Sequence, residues 1–202
     1  MDALQFFLRE HALVHLPEVA DGEGGMSLEV FAVRGLSDEQ LRIRPHGFNS
    51  IAWLLWHITR IEDVTVNVVL AGRPQVLFEG GFYPRLNVAE RDVGTGMTPD
   101  EVGEFSDAVD LSGLRAYRTA VGRRTREVVA GLAPEVLDSV VDPLRVDQAA
   151  SLGAFRPTAT RLVDLWKGKS RAWLLYWPVV GHSNFHLGHA RWVRKLVHRT
   201  ER

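Results

Sequence analysis

The sequence predicts an all-α protein, a bundle of four main helices with one long crossover loop. Three observations predict it. Apolar residues recur at helical spacing along several long stretches. Strand-like alternation bounded by hairpin turns is not sustained anywhere in the chain. A length of 202 residues, with 46% hydrophobic and 24% charged residues, suits one globular domain over 1–202 that needs no covalent staple.

The elements follow in order. From Asp2 to about Val19, Leu4, Phe7, Leu8, His11, Leu13, Val14 and Leu16 form a loose helical stripe, which Asp21-Gly22-Glu23-Gly24-Gly25 ends. A short helical piece around Ser27 to Arg34 comes next, and Ser37 then caps a turn that presents Leu36 and Leu41 inward. Asn49 or Ser50 caps a second long helix through Ile51, Leu54, Leu55, Ile58, Ile61, Val64 and Val68, with Ala71-Gly72 closing it and Pro74 beyond. Arg73 to Met97 is rich in glycine and proline and has no sustained period, so it reads as a long loop, either a functional lid or a mobile crossover. Thr98-Pro99-Asp100-Glu101 reopens helix by capping chemistry, and a longer helix runs from about Leu111 to Ala130, stopped by Gly131. After an irregular stretch from Pro134, a last helical region covers about Thr160 to His198, with Pro178 expected to kink it or start a new helix.

Composition excludes several function classes. A formal net charge of −1 gives no broad basic field for a nucleic-acid backbone, and the clusters Arg123-Arg124-Arg126 and Arg191 to Arg202 read as solvated helix faces. No nucleic-acid partner is expected. With no cysteine, a thiolate metal site or cysteine nucleophile is impossible, and any metal must be held by nitrogen and oxygen. The first residues lack a secretory leader pattern and the most apolar stretch, Ala172 to Gly181, is too short to span a bilayer; a cytoplasmic protein without membrane insertion is expected. The zinc-protease pair fails because Ser183 follows His182, and the Gly-x-Ser-x-Gly elbow, P-loop and dinucleotide fingerprint are absent.

Chemistry concentrates near the carboxyl end. Gly181-His182-Ser183-Asn184-Phe185-His186-Leu187-Gly188-His189 holds three of the eight histidines. On a helix, at about 100° per residue, His182, His186 and His189 fall within about 60° of one another. An i, i+4 pair of imidazoles can converge on one ion, which is metal-site geometry lacking its third ligand. His57, inside the apolar second helix with Trp53, Leu54, Ile58, Ile61 and Val64, either is a satisfied core residue or supplies that single ligand from a facing helix. Trp53, Trp56, Trp173 and Trp177 either line an apolar pocket or belong to the core.

Two blocks carry a family resemblance. Arg44-Pro45 followed by Asn49-Ser50-Ile51-Ala52-Trp53-Leu54-Leu55-Trp56-His57-Ile58 with Glu62, and His182-Ser183-Asn184-Phe185-His186-Leu187-Gly188-His189-Ala190-Arg191, resemble the second and last helices of the DinB/YfiT-like family of metal-dependent enzymes. The resemblance spans nearly the whole chain. It implies an up-down-down-up four-helix bundle, often a homodimer, with metal ligands His57, His182 and His186. His189 is left as a fourth ligand, a partner behind the ligands or a substrate contact. Some relatives are transferases or isomerases using mycothiol or bacillithiol, and others are hydrolases.

Three neutral imidazoles leave a divalent ion its full charge and an open position, at which the pKa of water falls to about 7 and a thiol is deprotonated. The expected function is therefore a metal-dependent hydrolase or thiol S-transferase acting on a small molecule, with Zn²⁺ or Ni²⁺ as cofactor and a low-molecular-weight thiol as the cosubstrate of the transferase. His189, Asn184 and Glu62 are candidates for proton transfer or support of the ligands, although Glu62 stands about 140° round the helix from His57, where a surface salt bridge is expected. Two other readings stand beside it: a non-catalytic metal-binding stress protein or sensor, with a closed site, and histidines that merely pair with backbone groups and bind no metal.

Overall fold

The computed structural model describes residues 1–22 and 27–200. Helix α1 spans Ala3–Leu13, opened by Asp2, whose carboxylate accepts from the Gln5 amide at 2.8 Å while the Gln5 side chain accepts from the Asp2 amide at 3.1 Å. It stops short of the expected Val19. Pro17 starts a separate 3₁₀ turn, Pro17–Ala20, after an extended Leu16, because the residue before proline is pushed out of helical conformation. The glycine-rich terminator expected after Asp21 lies outside the described residues from Glu23 to Gly25.

Helix α2 spans Leu28–Val33 from a Ser27 cap, and α3 spans Asp38–Arg42 from a Ser37–Gln40 capping box. Helix α4, Ile51–Asp63, starts where the Ser50 hydroxyl accepts from the Trp53 amide at 3.0 Å. It continues as wider π-helical turns over Val64–Leu70 and ends at Gly72, which takes φ +62°. Every residue of α4 is buried, so it is the central shaft, packed on by its neighbours from all sides.

The crossover is less irregular than the sequence suggests, since it contains the short helices α5, Val76–Glu79, and α6, Phe82–Arg85. Thr98 and Glu101 then form the capping box of α7, Pro99–Ala108, and Asp110 caps α8, Leu111–Ala130. A further helix, α9, Pro143–Ser151, occupies chain expected to be irregular. Its Asp142 cap and Pro143 are ordinary start signals, but its buried face is only Val146 and Ala149, too thin to stand out as a period.

The last region divides at a different place from the one expected. Helix α10, Thr160–Trp166, is followed by Gly168 at φ +71°, and the Ser170 hydroxyl then caps α11, Arg171–Leu174. From there π-helical turns over Leu175–Gly181 lead into α12, His182–Thr200. Pro178 sits inside these wide turns, which take up its ring and its missing donor without ending the helix.

The result is an all-α, up-down-down-up four-helix bundle with a long crossover. Helix α4 packs against α8 and α12, and α1 closes on α8 and on the turns before α12. Among the described residues the only β pairing is an isolated bridge between Val140 and Ser170. No described helix is long and apolar enough to cross a membrane. Two buried arginine–carboxylate pairs of the described residues tie the bundle: Arg118 donates to Glu29 at 2.7 Å, and Arg60 meets Asp63 at 3.3 Å while donating to the Tyr117 hydroxyl at 2.9 Å.

Candidate metal centre

His57 lies two turns into α4, one turn beyond Trp53, and the two rings stack with centroids 4.7 Å apart and 13° between planes. Its Nδ1 pairs with the Val93 carbonyl, an oxygen that can only accept, so Nδ1 carries the proton and Nε2 presents a lone pair. Fixing the tautomer through the far nitrogen is how proteins orient a ligating imidazole.

That carbonyl belongs to a loop clamped from three sides. The Val93 amide donates to Ala154 O at 2.9 Å. Arg60 donates to Arg91 O at 2.6 Å and Asp92 O at 3.3 Å, and Arg156 reaches the Asp92 carboxylate at 3.1 Å. Gly94, at φ +81°, lets the backbone run directly over Trp56, where a Cβ would stand 2.5 Å from Cζ3. Sequence reading missed these supporting residues; an acceptor that is a backbone carbonyl leaves no mark in residue type.

Helix α12 brings His182 and His186, one turn apart, against His57. The Nε2 atoms of His57 and His182 are 3.2 Å apart, and His186 has its ring centroid 4.9 Å from that of His57 and 4.4 Å from that of His182. One ring nitrogen from each of the three lies within 4.8 Å of the others. Two ligands about 2.1 Å from a common ion stand roughly 3.0–3.4 Å apart, so the donor spacing fits a divalent cation. Burial, the main cause, lowers the pKa of His57 to about 4, of His182 to about 2 and of His186 to about 3, with the neighbouring imidazoles adding to the last two. All three are neutral at pH 7, the form that ligates. Among the described residues, the Nδ1 atoms of His182 and His186 have no hydrogen-bond partner.

Beside His57 opens a cavity of about 320 Å³, lined among others by Arg44, Asn49, Trp53, Gly94 and Met97. The Arg44 guanidinium holds its rim, donating to Pro99 O at 2.6 Å and Phe48 O at 3.3 Å.

The remaining candidates are distributed differently. His189 is half-buried, edge-on to Phe48 at 5.7 Å, and is not in the converging group. Asn184 is exposed. Glu62 corrects the expected surface salt bridge, because it is fully buried and bonded to His11 at 2.8 Å, His15 at 2.9 Å and Thr125 at 2.7 Å. Its 140° offset carries it away from His57 and into the bundle, since α4 has no solvent face. Of the tryptophans, Trp53 both lines the cavity and is buried, Trp56 is core, Trp173 is half-buried, and Trp177 is 46% exposed.

An all-α bundle whose central and last helices bring three neutral imidazoles together, His57 at the edge of a cavity, defines a helical-bundle protein with a candidate three-histidine centre. The chain belongs to the DinB superfamily, whose family model matches residues 28–190. The fold is similar to the crystal structure of a conserved protein from Enterococcus faecalis, at a TM-score of 0.68 and 17% identity over 98% of both chains. Comparison with curated proteins finds no significant match.

Proposed function

We propose that this protein is a metal-dependent enzyme in which His57, His182 and His186 hold a divalent ion, Zn²⁺ or Ni²⁺, and which acts on a small electrophilic molecule as a hydrolase or a thiol S-transferase. The observation that carries this reading is the convergence of three neutral imidazoles, one of which, His57, lines a cavity of about 320 Å³. Such an ion, when bound, acidifies water or a thiol. Val93 holds the His57 proton at Nδ1 and so keeps the Nε2 lone pair available. Trp53 stacks on the His57 ring and lines the cavity beside it, giving that wall an apolar face. Because the chain has no cysteine, a reacting thiol must come from solution. A closed, non-catalytic site would take His189 as its fourth ligand, and His189 stands outside the converging group, which supports the enzyme reading.

The test is elemental mass spectrometry on protein purified without chelator, followed by turnover of electrophile libraries with and without added thiols. His57→Ala and His186→Ala are each expected to lose about one equivalent of metal relative to the parent and to lose turnover with it. Unchanged metal content in both variants refutes the ligand set.

A further inference from the structure

We propose that His11, His15 and Glu62 form a second divalent-metal site, closed and structural, that pins α1 to the centre of the bundle. It stands independently of the function proposed above.

The donors come from three places in the chain: His11 from the last turn of α1, His15 from the turn that follows, and Glu62 from α4. All three are 0% exposed. The two Nε2 atoms stand 2.8 and 2.9 Å from the two oxygens of one carboxylate, and one donor atom from each residue lies within 4.8 Å of the others. These separations are within a few tenths of an ångström of neighbouring ligands on a common ion. Two imidazoles and a carboxylate are a donor set that zinc and other first-row divalent ions accept. The spacing His11-x₃-His15 repeats that of His182-x₃-His186, and each pair is completed by one residue of α4.

Charge balance points the same way. Three carboxylates of the described residues are buried, and two of them are bonded to a buried arginine, Glu29 to Arg118 and Asp63 to Arg60. Glu62 has only imidazoles and the Thr125 hydroxyl. The nearby Arg118 is committed to Glu29, the Thr59 hydroxyl and Val14 O. An anion this deep needs a bonded cation, and the described residues supply none of fixed charge. The site is closed, since all three side chains are fully buried and α8 packs on two of them, with the Thr125 hydroxyl donating to Glu62 at 2.7 Å and a Cβ on Gly122 falling 2.9 Å from the His15 ring. Such closure is the mark of a structural site, whose metal enters as the chain folds.

The experiment is zinc stoichiometry by elemental mass spectrometry on protein from zinc-supplemented cells, purified without chelator. About two equivalents are expected in the parent, about one in His186→Ala, about one in Glu62→Gln and none in the double variant. A parent with about one equivalent that His186→Ala removes overturns the second site and leaves the proposed function standing. Zinc retained in His186→Ala and removed by Glu62→Gln in a parent with one equivalent supports the second site and refutes the function. Should Glu62→Gln not fold, His186→Ala folded with Co²⁺ decides: a ligand-field absorption band supports the site, and a colourless protein overturns it.

Discussion

Alanine at Gly94 separates the work of the Val93–Gly94 loop from that of the histidines. Gly94 adopts φ +81°, and an added Cβ would lie 2.5 Å from Trp56 Cζ3 and 3.2 Å from Trp53 Cζ2. Trp56 is fully buried and packs on Phe105 at 4.5 Å, so it has no room to retreat. The left-handed backbone costs an L side chain about 1–2 kcal/mol, and forcing a methyl into a filled core costs about 1–3 kcal/mol. Together Gly94→Ala is expected to destabilise by about 2–5 kcal/mol. The relief route moves the loop, and the Val93 carbonyl with it, so His57 loses its orienting acceptor and the affinity of the proposed metal site falls by about 10–100-fold. Gly153, at φ +75° with nothing within 4 Å, supplies the control, since alanine there incurs the backbone cost alone. Urea unfolding of the metal-free protein reads the first quantity and competition with a chromophoric chelator the second. If Gly94→Ala matches Gly153→Ala in stability and keeps metal affinity within about twofold of the parent, the reasoning fails.

Two further outcomes follow from the same contacts. His57, His182 and His186 titrate lower in the fold than the ordinary 6.5, so below that pH the unfolded chain takes up protons that the fold refuses. Stability of the metal-free protein is full above about pH 6.5 and falls between about 6.5 and 4, by up to about 1.4 kcal/mol per histidine per pH unit; a melting temperature flat over that window would remove the neutral-imidazole premise. Asp63 accepts from the Val76 amide at 2.9 Å, the Leu77 amide at 3.0 Å and the Tyr117 hydroxyl at 2.6 Å beside the buried Arg60. Asp63→Asn strands that guanidinium and is expected to cost about 3–5 kcal/mol in denaturant unfolding, a figure that a loss under about 1 kcal/mol would refute.

Much of the fold was legible because its signals are local. Ser50, Ser37, Thr98 with Glu101, and Gly131 mark helix ends where caps and terminators act within one turn. The convergence of His57 with His182 and His186 was also within reach, since two facing helices are enough to bring an i, i+4 pair to a single partner. The clamp on Val93 was not, because Arg60 and Arg156 act on it through backbone groups of a loop without periodicity. Nor was the environment of Glu62. A charged residue on a helix reads as solvent-facing unless the helix is known to be enclosed on every side, and that depends on α1, α8 and α12 together. The second histidine pair, His11 and His15, escaped notice for the same reason, since its partner is distant in sequence and of the opposite expected exposure.

The wide turns at Val64–Leu70 and Leu175–Gly181 act as slack in otherwise rigid rods. A π turn stores an extra residue while the α-helical stretches on either side keep their facing. The chain can therefore gain or shed a residue near Pro178 without turning His182 and His186 away from His57. A one-residue change between the Ser170 cap and His182 is thus absorbed in the wide turns, whereas one inside the four-residue interval of the pair is not.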